Sequence, residues 1–303
     1  MSEKWVRRTE YNNVISVKIV IPGGCNARCK FCYNRDMWRK NIREVVPFAA
    51  FRLNLNDSLK TIIEEIGEKD RISIDITGNE PTCNIPDLMY ALAVIRNYKE
   101  CVSRVTLTTN AFFLEKLIPF LPGIVDYVNI SLHDFREKYR RRVMDWSVLD
   151  VVVKSCVEKL NGCGIPCSAV AVIWKKYQDF SWWRDRFIEW CKEYGFISLR
   201  FRCNVHMDDQ SFFDEYMEQT INDPRFQVIT HENTPDSHWC RLRMEDKFRV
   251  FFLHGVKDTT KFTKGIEYVI ADDGGLYTDY KKQHPIGEYE FKIGEIYDRV
   301  VEV

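Results

Sequence analysis

The sequence predicts an α/β fold whose parallel strands curve into a partial or full barrel. Short strand-like segments alternate along the chain with amphipathic helical segments, an order typical of parallel strands joined by right-handed crossovers. Several strands also alternate between apolar and polar residues, whereas parallel strands covered by helices on both faces are usually apolar throughout. A curved sheet with helices outside and polar side chains inside explains both observations.

The predicted elements follow one another from residue 15 to residue 205. Segments that favour strands lie at 15–21, 71–77, 104–110, 126–133, 167–174 and 197–205. Amphipathic helical patterns lie at 57–69, 86–100, 115–121, 148–160 and 183–195. We expect the functional site at the carboxyl ends of the strands, where barrels of this kind hold it.

Composition narrows the class of protein. The 303 residues include 44 Lys and Arg against 44 Asp and Glu, so net charge favours neither nucleic acid nor an anionic membrane as partner. The N-terminal MSEKWVRRTE lacks the apolar stretch of a secretory signal, and no segment approaches the roughly 18 apolar residues of a membrane span. We expect a cytoplasmic protein whose 11 cysteines are free thiols and metal ligands.

Three cysteines lie close together directly after the first predicted strand. Cys25, Cys29 and Cys32 occur in GGCNARCKFCYN, residues 23–34. Structural zinc usually takes four ligands, and the chain has no second CxxC pair to complete such a site. Three thiolates suit a [4Fe–4S] cluster in which the fourth iron is open to a non-protein ligand. The alternatives are three turn cysteines brought together by chance and a degenerate zinc site.

The CxxxCxxC spacing, with Phe31 before the last cysteine, resembles the radical S-adenosylmethionine (radical SAM) superfamily. Three downstream segments extend the resemblance over residues 15–205: TGNEPT at 77–82, TTNA at 108–111 and ISLHD at 130–134. TGNEPT is similar to the family's Gly-Gly-Glu-Pro stretch, with Asn79 in place of the second glycine. TTNA is similar to a Thr-Asn-Gly turn, with Ala111 in place of the glycine.

The resemblance implies a fold and a chemistry. The fold is a partial (β/α)6 TIM-like barrel at 15–222, with a lead-in at 1–14 and a small C-terminal α+β extension at 223–303. The chemistry is reductive cleavage of SAM at one [4Fe–4S] cluster, giving a 5′-deoxyadenosyl radical that abstracts hydrogen from an unactivated C–H bond. An external electron donor of the flavodoxin or ferredoxin type would supply the electron.

The resemblance also assigns expected roles to site residues. Cys25, Cys29 and Cys32 would bind the cluster. The remaining assignments are Gly78, Asn79 and Glu80 for the SAM amino group, Phe31 and Tyr33 for the adenine, and Asn110 and Ser131 for the ribose. The alternative for Asn110 and Ser131 is an ordinary hydrogen bond inside the barrel.

Other inward-facing residues are candidates on the substrate side. His133 could accept a proton near neutral pH, or could be a hydrogen-bonded structural histidine. Arg200 and Arg202 could bind the SAM carboxylate or an anionic substrate, or could pair with Asp75 or Glu80. We expect Arg202, nearer the end of its strand, to contact a ligand. The basic run at 136–145 is either an anion clamp or a solvated helical face.

The C-terminal segment is predicted to form hairpins at 238–255, 266–280 and 286–298. It resembles the extension of the molybdopterin-precursor and peptide-maturase branch, which holds auxiliary iron–sulfur clusters. Only Cys203 and Cys240 lie in the C-terminal stretch from residue 203 onward, too few for a second cluster, so we expect the extension to be a cluster-free lid or substrate platform. Cys156 and Cys167 are expected to be buried, and Cys163 to lie in a turn.

The expected function is therefore a radical SAM enzyme acting on a small anionic metabolite or nucleotide. A peptide substrate is an alternative, although residues 1–14 are too short for a peptide-binding winged helix. A nucleic-acid base is a further alternative, which the zero net charge disfavours. A non-catalytic iron–sulfur redox sensor is an alternative of another class, but a sensor has no need of TGNEPT and ISLHD.

Overall fold

The computed structural model describes residues 14–32, 48–66, 70–204, 211–233, 238–254 and 267–277. Its strands are β1 (Val14–Ile21), β2 (Arg71–Gly78), β3 (Val102–Thr109), β4 (Tyr127–Ser131), β5 (Cys167–Ile173), β6 (Ser198–Cys203), β7 (Gln227–Asn233), β8 (His238–Arg243), β9 (Arg249–His254), β10 (Glu267–Ile270) and β11 (Leu276–Tyr277). Its α-helices are α1 (Phe48–Glu65), α2 (Ile85–Asn97), α3 (Leu114–Leu117), α4 (Glu137–Met144), α5 (Asp150–Gly162), α6 (Phe180–Glu193) and α7 (Ser211–Ile221).

All six predicted strands are confirmed as β1 to β6, and each predicted helix has a counterpart. The largest difference is at α1, which begins at Phe48 rather than at the predicted residue 57. The reason is an apolar stripe that continues backwards along the chain. Phe51, Leu55 and Leu59 lie four residues apart and are all fully buried, so the extra turns cover the sheet. None of the described helices combines the length and the apolar composition needed to cross a membrane.

The described chain divides into two compact units. The first contains β1, α1, β2, α2, the start of β3, β10 and β11. Its strand order is β11-β10-β1-β2-β3, and β1 pairs in parallel with both β2 and β10. The β10–β11 turn rests on α1, since Asn54 Nδ2 donates to Asp273 O (2.9 Å) and Ser58 Oγ donates to Gly274 O (2.7 Å). Gly274 must be glycine, because a Cβ there would lie 2.6 Å from Phe51 O.

The second unit contains the end of β3, strands β4 to β9 and helices α3 to α7. Its strand order is β3-β4-β5-β6-β9-β8-β7. Strands β4, β5, β6 and β9 pair in parallel, and β8 and β7 then add antiparallel strands. Two predicted hairpins are confirmed as β8–β9 and β10–β11, and the one at 286–298 lies outside the described residues. The boundary between barrel and extension at residue 222 stays a prediction.

The two faces of β6 differ as the sequence pattern predicts. On one face, Leu199 and Phe201 are fully buried, and the Phe201 ring lies 5.5 Å from that of Trp183 in α6. Asp179 begins α6 by accepting a hydrogen bond from Trp182 N. The opposite face carries Ser198 and Arg200, because side chains alternate along a strand. The apolar face of β6 packs against helices, so the polar face is the one whose side chains can bind a ligand.

Candidate functional site

The motif cysteines lie on a loop that is held against the end of α4. Arg28 N donates to Met144 O (2.6 Å), and Lys30 N donates to Val143 O (3.0 Å). Cys32 N donates to Cys29 O (3.0 Å), which closes a turn between the last two cysteines. The backbone of the loop is thus positioned by tertiary hydrogen bonds, and its side chains are left to make other contacts.

The three motif thiols differ in environment from the buried cysteines. Cys25, Cys29 and Cys32 are all half-buried, and Cys25 Sγ accepts hydrogen bonds from Ala27 N (3.3 Å) and Asn110 Nδ2 (3.9 Å). Such donors stabilise a thiolate or a metal-bound sulfur. By contrast, burial raises the pKa of Cys156 to about 11 and of Cys167 to about 12, so these thiols are poor ligands. As predicted, both are buried, whereas Cys163 is exposed after α5.

The donor set fits an iron–sulfur cluster by its chemistry. Across the part of the chain that the structure describes, no three or more His, Cys, Asp or Glu side chains are gathered closely enough to hold a metal ion. The loop nevertheless offers three accessible thiols on one anchored segment, with N–H donors already directed at Cys25 Sγ. Thiolate is the ligand that such clusters take.

Asn110 holds the cysteine loop. It is 5% exposed, its Nδ2 donates to Asn26 Oδ1 (2.9 Å), and its Oδ1 accepts from Phe112 N (3.0 Å). Ala111, in place of the family's glycine, has φ of 68°, and Thr109 Oγ1 accepts from its N–H (2.9 Å). That hydrogen bond helps to offset the cost of a left-handed alanine, roughly 1–2 kcal/mol. The ribose contact of Asn110 stays a prediction.

His133 is buried, neutral and packed against the cysteine loop. Val172 N donates to its Nδ1 (3.1 Å), and the Phe31 ring meets its ring edge-on at 4.5 Å. Burial, and then the positive charge of Arg202, lower the pKa of His133 to about 3. A group with this pKa is a weak base at neutral pH, so its role as proton acceptor is not supported by its environment. Ser131, at the end of β4, is half-exposed.

The lowered pKa of His133 predicts acid sensitivity. The unfolded chain, in which histidine has a pKa near 6.5, binds the proton preferentially. The stabilising contribution is therefore complete above about pH 6.5 and is lost as the pH falls toward 3. Asparagine tolerates the positive φ of 67° at this position. Between pH 7.5 and pH 5, we expect the wild type to lose about 2 kcal/mol more unfolding free energy than His133→Asn.

This difference can be measured by urea denaturation of the metal-free proteins at both pH values. Equal losses in the two proteins would show that His133 does not titrate on unfolding.

In the first unit, TGNEPT joins the ends of β1 and β2. Gly78 has φ of 136°, and a Cβ there would lie 2.8 Å from Ile21 O, so this position requires glycine. Asn79 occupies the position of the family's second glycine, and its Nδ2 donates to Gly23 O (2.7 Å). Its side chain therefore stabilises the loop after β1. Glu80 is 4% exposed, and its Oε1 accepts from Thr82 N (3.1 Å) and Thr82 Oγ1 (2.7 Å). Their contacts with SAM stay predictions, and Tyr33 lies outside the described residues.

The basic run at 136–145 is not uniform, because one of its arginines is buried and three of its basic residues are exposed. Lys138, Arg141 and Arg142 are exposed on α4. Arg140, however, is fully buried: it pairs with Asp150 and donates to Ser147 Oγ (3.1 Å) and Phe135 O (3.0 Å). Neither predicted alternative is right for Arg140, because its position on the inner side of α4 makes it a structural anchor.

Sequence reasoning missed a cluster that we call the arginine face, formed by Arg200, Arg241, Arg243 and Arg249. Arg200 and Arg241 both pair in register with Phe251 of β9, one from β6 and one from β8. Their guanidinium carbons lie 4.7 and 5.8 Å from the centre of the Phe251 ring. Arg249 shares this face with Phe251 and pairs in register with Arg243. The signal was present as two Arg-x-Arg patterns, RFR at 200–202 and RLR at 241–243.

Two members of the arginine face, Arg200 and Arg241, lack a balancing carboxylate in the described part of the chain. There, no carboxylate forms an ion pair with Arg200, whose Nε donates to Ser168 Oγ (3.3 Å), or with Arg241. Arg241 Nε is buried and has no hydrogen-bond partner among the described residues. Burial, followed by the neighbouring arginines, lowers the pKa of Arg241. A buried donor without a partner and an excess of positive charge favour an anionic ligand.

Comparison with known proteins identifies relatives of the chain. A family model described as the Radical SAM superfamily matches residues 19–191. A Thermococcus kodakarensis protein named "Probable GTP 3',8-cyclase" is 24% identical over 206 residues, covering 67% of this chain and 62% of the relative. A Pyrococcus horikoshii protein of the same name is 26% identical over 171 residues, covering 56% of this chain and 50% of the relative. The chain thus spans between half and two thirds of the length of these relatives.

Solved structures show the same fold at low identity. Streptococcus suis SuiB bound to precursor peptide SuiA matches with a TM-score of 0.60 at 15% identity, covering 95% of this chain and 65% of SuiB. Escherichia coli coproporphyrinogen III oxidase HemN, described as a radical SAM enzyme, matches with a TM-score of 0.50 at 11% identity, covering 72% of this chain and 54% of HemN. These likenesses confirm the predicted fold class, an α/β fold of the partial-barrel type.

Proposed function

This chain belongs to the radical SAM superfamily, and we propose that it abstracts a hydrogen atom from an unactivated C–H bond of a small phosphorylated or otherwise anionic molecule. Enzymes of this superfamily use a [4Fe–4S] cluster and SAM, and both are the cofactors of this chain. When bound, the reduced cluster and SAM supply a 5′-deoxyadenosyl radical reactive enough to attack unactivated carbon.

Cys25, Cys29 and Cys32 would hold the cluster. The observation that carries this assignment is their loop, which two backbone hydrogen bonds anchor on α4 and in which Cys25 Sγ already accepts two N–H donors. Asn110 contributes one of those donors and also holds Asn26, so it positions the loop. We assign Asn110 this positioning role in addition to its predicted contact with the ribose.

The remaining candidates would orient ligands and exclude water. Phe31 and the neutral ring of His133 form an apolar wall beside the cysteine loop, which suits a reaction that must be shielded from solvent. Gly78 leaves the backbone at the end of β2 uncovered by a side chain, and Glu80 fixes the following turn through Thr82. We assign contacts with SAM to Gly78, Asn79 and Glu80 and to the Ser131 hydroxyl.

The arginine face supports an anionic substrate. Guanidinium groups bind phosphate and carboxylate oxygens in bidentate fashion, and Phe251 stacks two of them side by side. Arg200 and Arg241 have no carboxylate partner among the described residues, and two adjacent guanidinium groups match the several oxygens of a phosphate group. The curated relatives are named for a reaction of GTP, which makes GTP the first nucleotide to test. Arg202 lies nearer the carboxyl end of β6 than Arg200 does, and it would contact the ligand nearer the cysteines.

A peptide substrate is the second candidate, and its support is the fold likeness to SuiB over 95% of this chain. The basis for preferring an anionic small molecule is the unbalanced charge of Arg200 and Arg241 within the described residues.

Anaerobically reconstituted protein, reduced with dithionite, is expected to convert SAM to 5′-deoxyadenosine and methionine. Addition of GTP deuterated on its ribose is expected to transfer deuterium into 5′-deoxyadenosine, because the abstracted hydrogen ends on that product. Both products can be quantified by mass spectrometry, with ATP and a peptide library as comparison substrates. Cluster loading without SAM cleavage would instead identify an iron–sulfur sensor. Deuterium transfer only from peptides would replace the small-molecule proposal.

A further inference from the structure

A basic and aromatic surface adjoins the cysteine loop in the second unit. It surrounds a cavity of about 180 Å³ whose lining includes Lys30, Arg142 and Lys175, together with Tyr139, Trp174 and Tyr177. We call Lys30, Arg142 and Lys175 the basic rim. All three are exposed, and each has a further exposed basic residue within two positions, namely Arg28, Arg141 and Lys176.

The contacts of the basic rim place it beside the cysteines. Lys30 lies between Cys29 and Cys32 in the chain, and its backbone N–H donates to Val143 O, next to Arg142. The Lys30 and Lys175 ammonium groups lie 5.8 and 5.3 Å from the centre of the same Trp174 ring. The indole therefore brings the cysteine loop and the loop after β5 together at one patch.

The acidic residue that lines this cavity does not neutralise the rim. Asp134 is 4% exposed, and its oxygens accept from Arg136 (2.8 and 2.9 Å) and from Trp183 Nε1 (3.0 Å). Its charge is thus balanced by Arg136, which is outside the rim. The segments 25–32 and 174–177 contain no acidic residue at all. The flanking Arg141 and Lys176 pair with Glu137 and Glu215, so the positive charge of the patch is that of the basic rim itself. The chain as a whole has a net charge of zero.

The size of the cavity argues against a small-molecule site. Pockets that enclose a drug-sized ligand usually measure about 300–1,000 Å³. A cavity of about 180 Å³ is too small to enclose a nucleotide, whereas a shallow depression ringed by exposed cations and aromatic edges is typical of a protein interface.

We propose that the basic rim is the docking surface for an acidic one-electron donor protein carrying a flavin or an iron–sulfur centre. This inference rests on the proposed function, because the cluster held by Cys25, Cys29 and Cys32 must receive one electron for each SAM cleaved. The donor loses that electron and the cluster gains it, with no other co-reactant. Lys30 is part of the cysteine loop, so a partner seated on the rim is brought next to the cluster ligands. Positive charge around that point steers an acidic partner to it.

The test uses the reconstituted enzyme, an acidic flavodoxin as the donor, and the double variant Arg142→Glu, Lys175→Glu. Its matched control is Lys60→Glu, Arg186→Glu, which changes two exposed residues on α1 and α6 and gives the same change in net charge. Binding of oxidised flavodoxin is measured by calorimetry at two salt concentrations. SAM cleavage is measured separately with flavodoxin hydroquinone and with dithionite.

We expect the rim variant to bind flavodoxin at least about 10-fold more weakly than the control variant, and the wild-type affinity to fall as salt is raised. Cleavage driven by flavodoxin should fall by a similar factor at low donor concentration, while cleavage driven by dithionite stays within about twofold, because dithionite needs no docking surface.

Three results would overturn the proposal. The first is equal flavodoxin binding by the rim and control variants. The second is an equal loss of cleavage with both reductants. The third is unchanged flavodoxin binding with loss of binding to a single-stranded oligonucleotide, which would assign the rim to nucleic acid. Absence of dithionite-driven cleavage in the wild type would refute the proposed function instead, and the binding comparison would still test the rim.

Discussion

Replacing any one of Cys25, Cys29 or Cys32 with alanine is expected to abolish SAM cleavage, with a loss of more than about 100-fold. Two thiolates hold a cubane cluster poorly, whereas three leave one iron open for SAM. The wild type should bind about four iron and four sulfide per chain after anaerobic reconstitution, and each variant should lose the cluster absorbance at about 400 nm. Iron and sulfide analysis, absorbance and 5′-deoxyadenosine formation measure the three effects independently.

The chain offers two controls for the cysteine variants. Cys163→Ala removes an exposed thiol outside the motif and should leave iron content unchanged. A Cys203→Ala, Cys240→Ala variant removes two buried thiols, and burial raises the pKa of Cys240 to about 11. It too should keep its iron. Full iron and activity in any single motif variant would refute the ligand assignment, and about eight iron per wild-type chain would refute the single cluster.

Replacing Arg140 with methionine is expected to lower the free energy of unfolding by about 2–4 kcal/mol, because it leaves buried hydrogen-bond acceptors and the partly exposed Asp150 carboxylate without their donor. Arg140 is fully buried and binds Asp150, Ser147 Oγ and two backbone carbonyl oxygens. It fixes α4, whose last carbonyl groups hold the cysteine loop. Urea denaturation of the metal-free protein measures the stability, and iron content after reconstitution should fall as well.

Arg141→Met is the matched control, because it removes an exposed arginine from the next position of the same helix. Among the residues that the structure describes, Arg141 pairs with Glu137 at the surface, so a loss below about 1 kcal/mol is expected. Adding Asp150→Asn to Arg140→Met should restore part of the stability, since it removes the carboxylate left without its partner. If Arg140→Met were no more destabilising than Arg141→Met, Arg140 would not be an anchor.

Local pattern was sufficient for the strands and for the cysteine motif. Ile72, Ile74 and Ile76 alternate with polar residues, and all three are fully buried in β2, because a strand places alternate side chains on opposite faces. The cysteine spacing is likewise a property of eight consecutive residues, and the family match confirms what it indicated. The start of α1 was missed, because the run 48–56 is short and its apolar stripe is interrupted by asparagines.

The uses of single polar residues were less predictable. Asn79 and Asn110 were assigned to SAM from their motifs, and both also make structural hydrogen bonds, to Gly23 O and to Asn26. These partners lie 56 and 84 positions away in the chain. The periodicity of a sequence does not indicate hydrogen bonds between residues so far apart. The motifs alone therefore could not show whether Asn79 and Asn110 contact SAM or stabilise the loop.

The sequence by itself determined the fold class, the order of β1 to β6 and the cysteine loop with the cofactors it implies, because each depends on the spacing of residues within one segment. Only the tertiary structure decided which charged side chains are buried and what faces them. Arg140 and Arg142 are two residues apart on one helix, yet one is enclosed by Asp150 and Ser147 and the other is exposed on the basic rim. Arg200 and Arg241 meet at Phe251 only because β6 and β8 flank β9. The charge and burial of a side chain are set by neighbours from distant segments, and those neighbours are specified only when the strands pair.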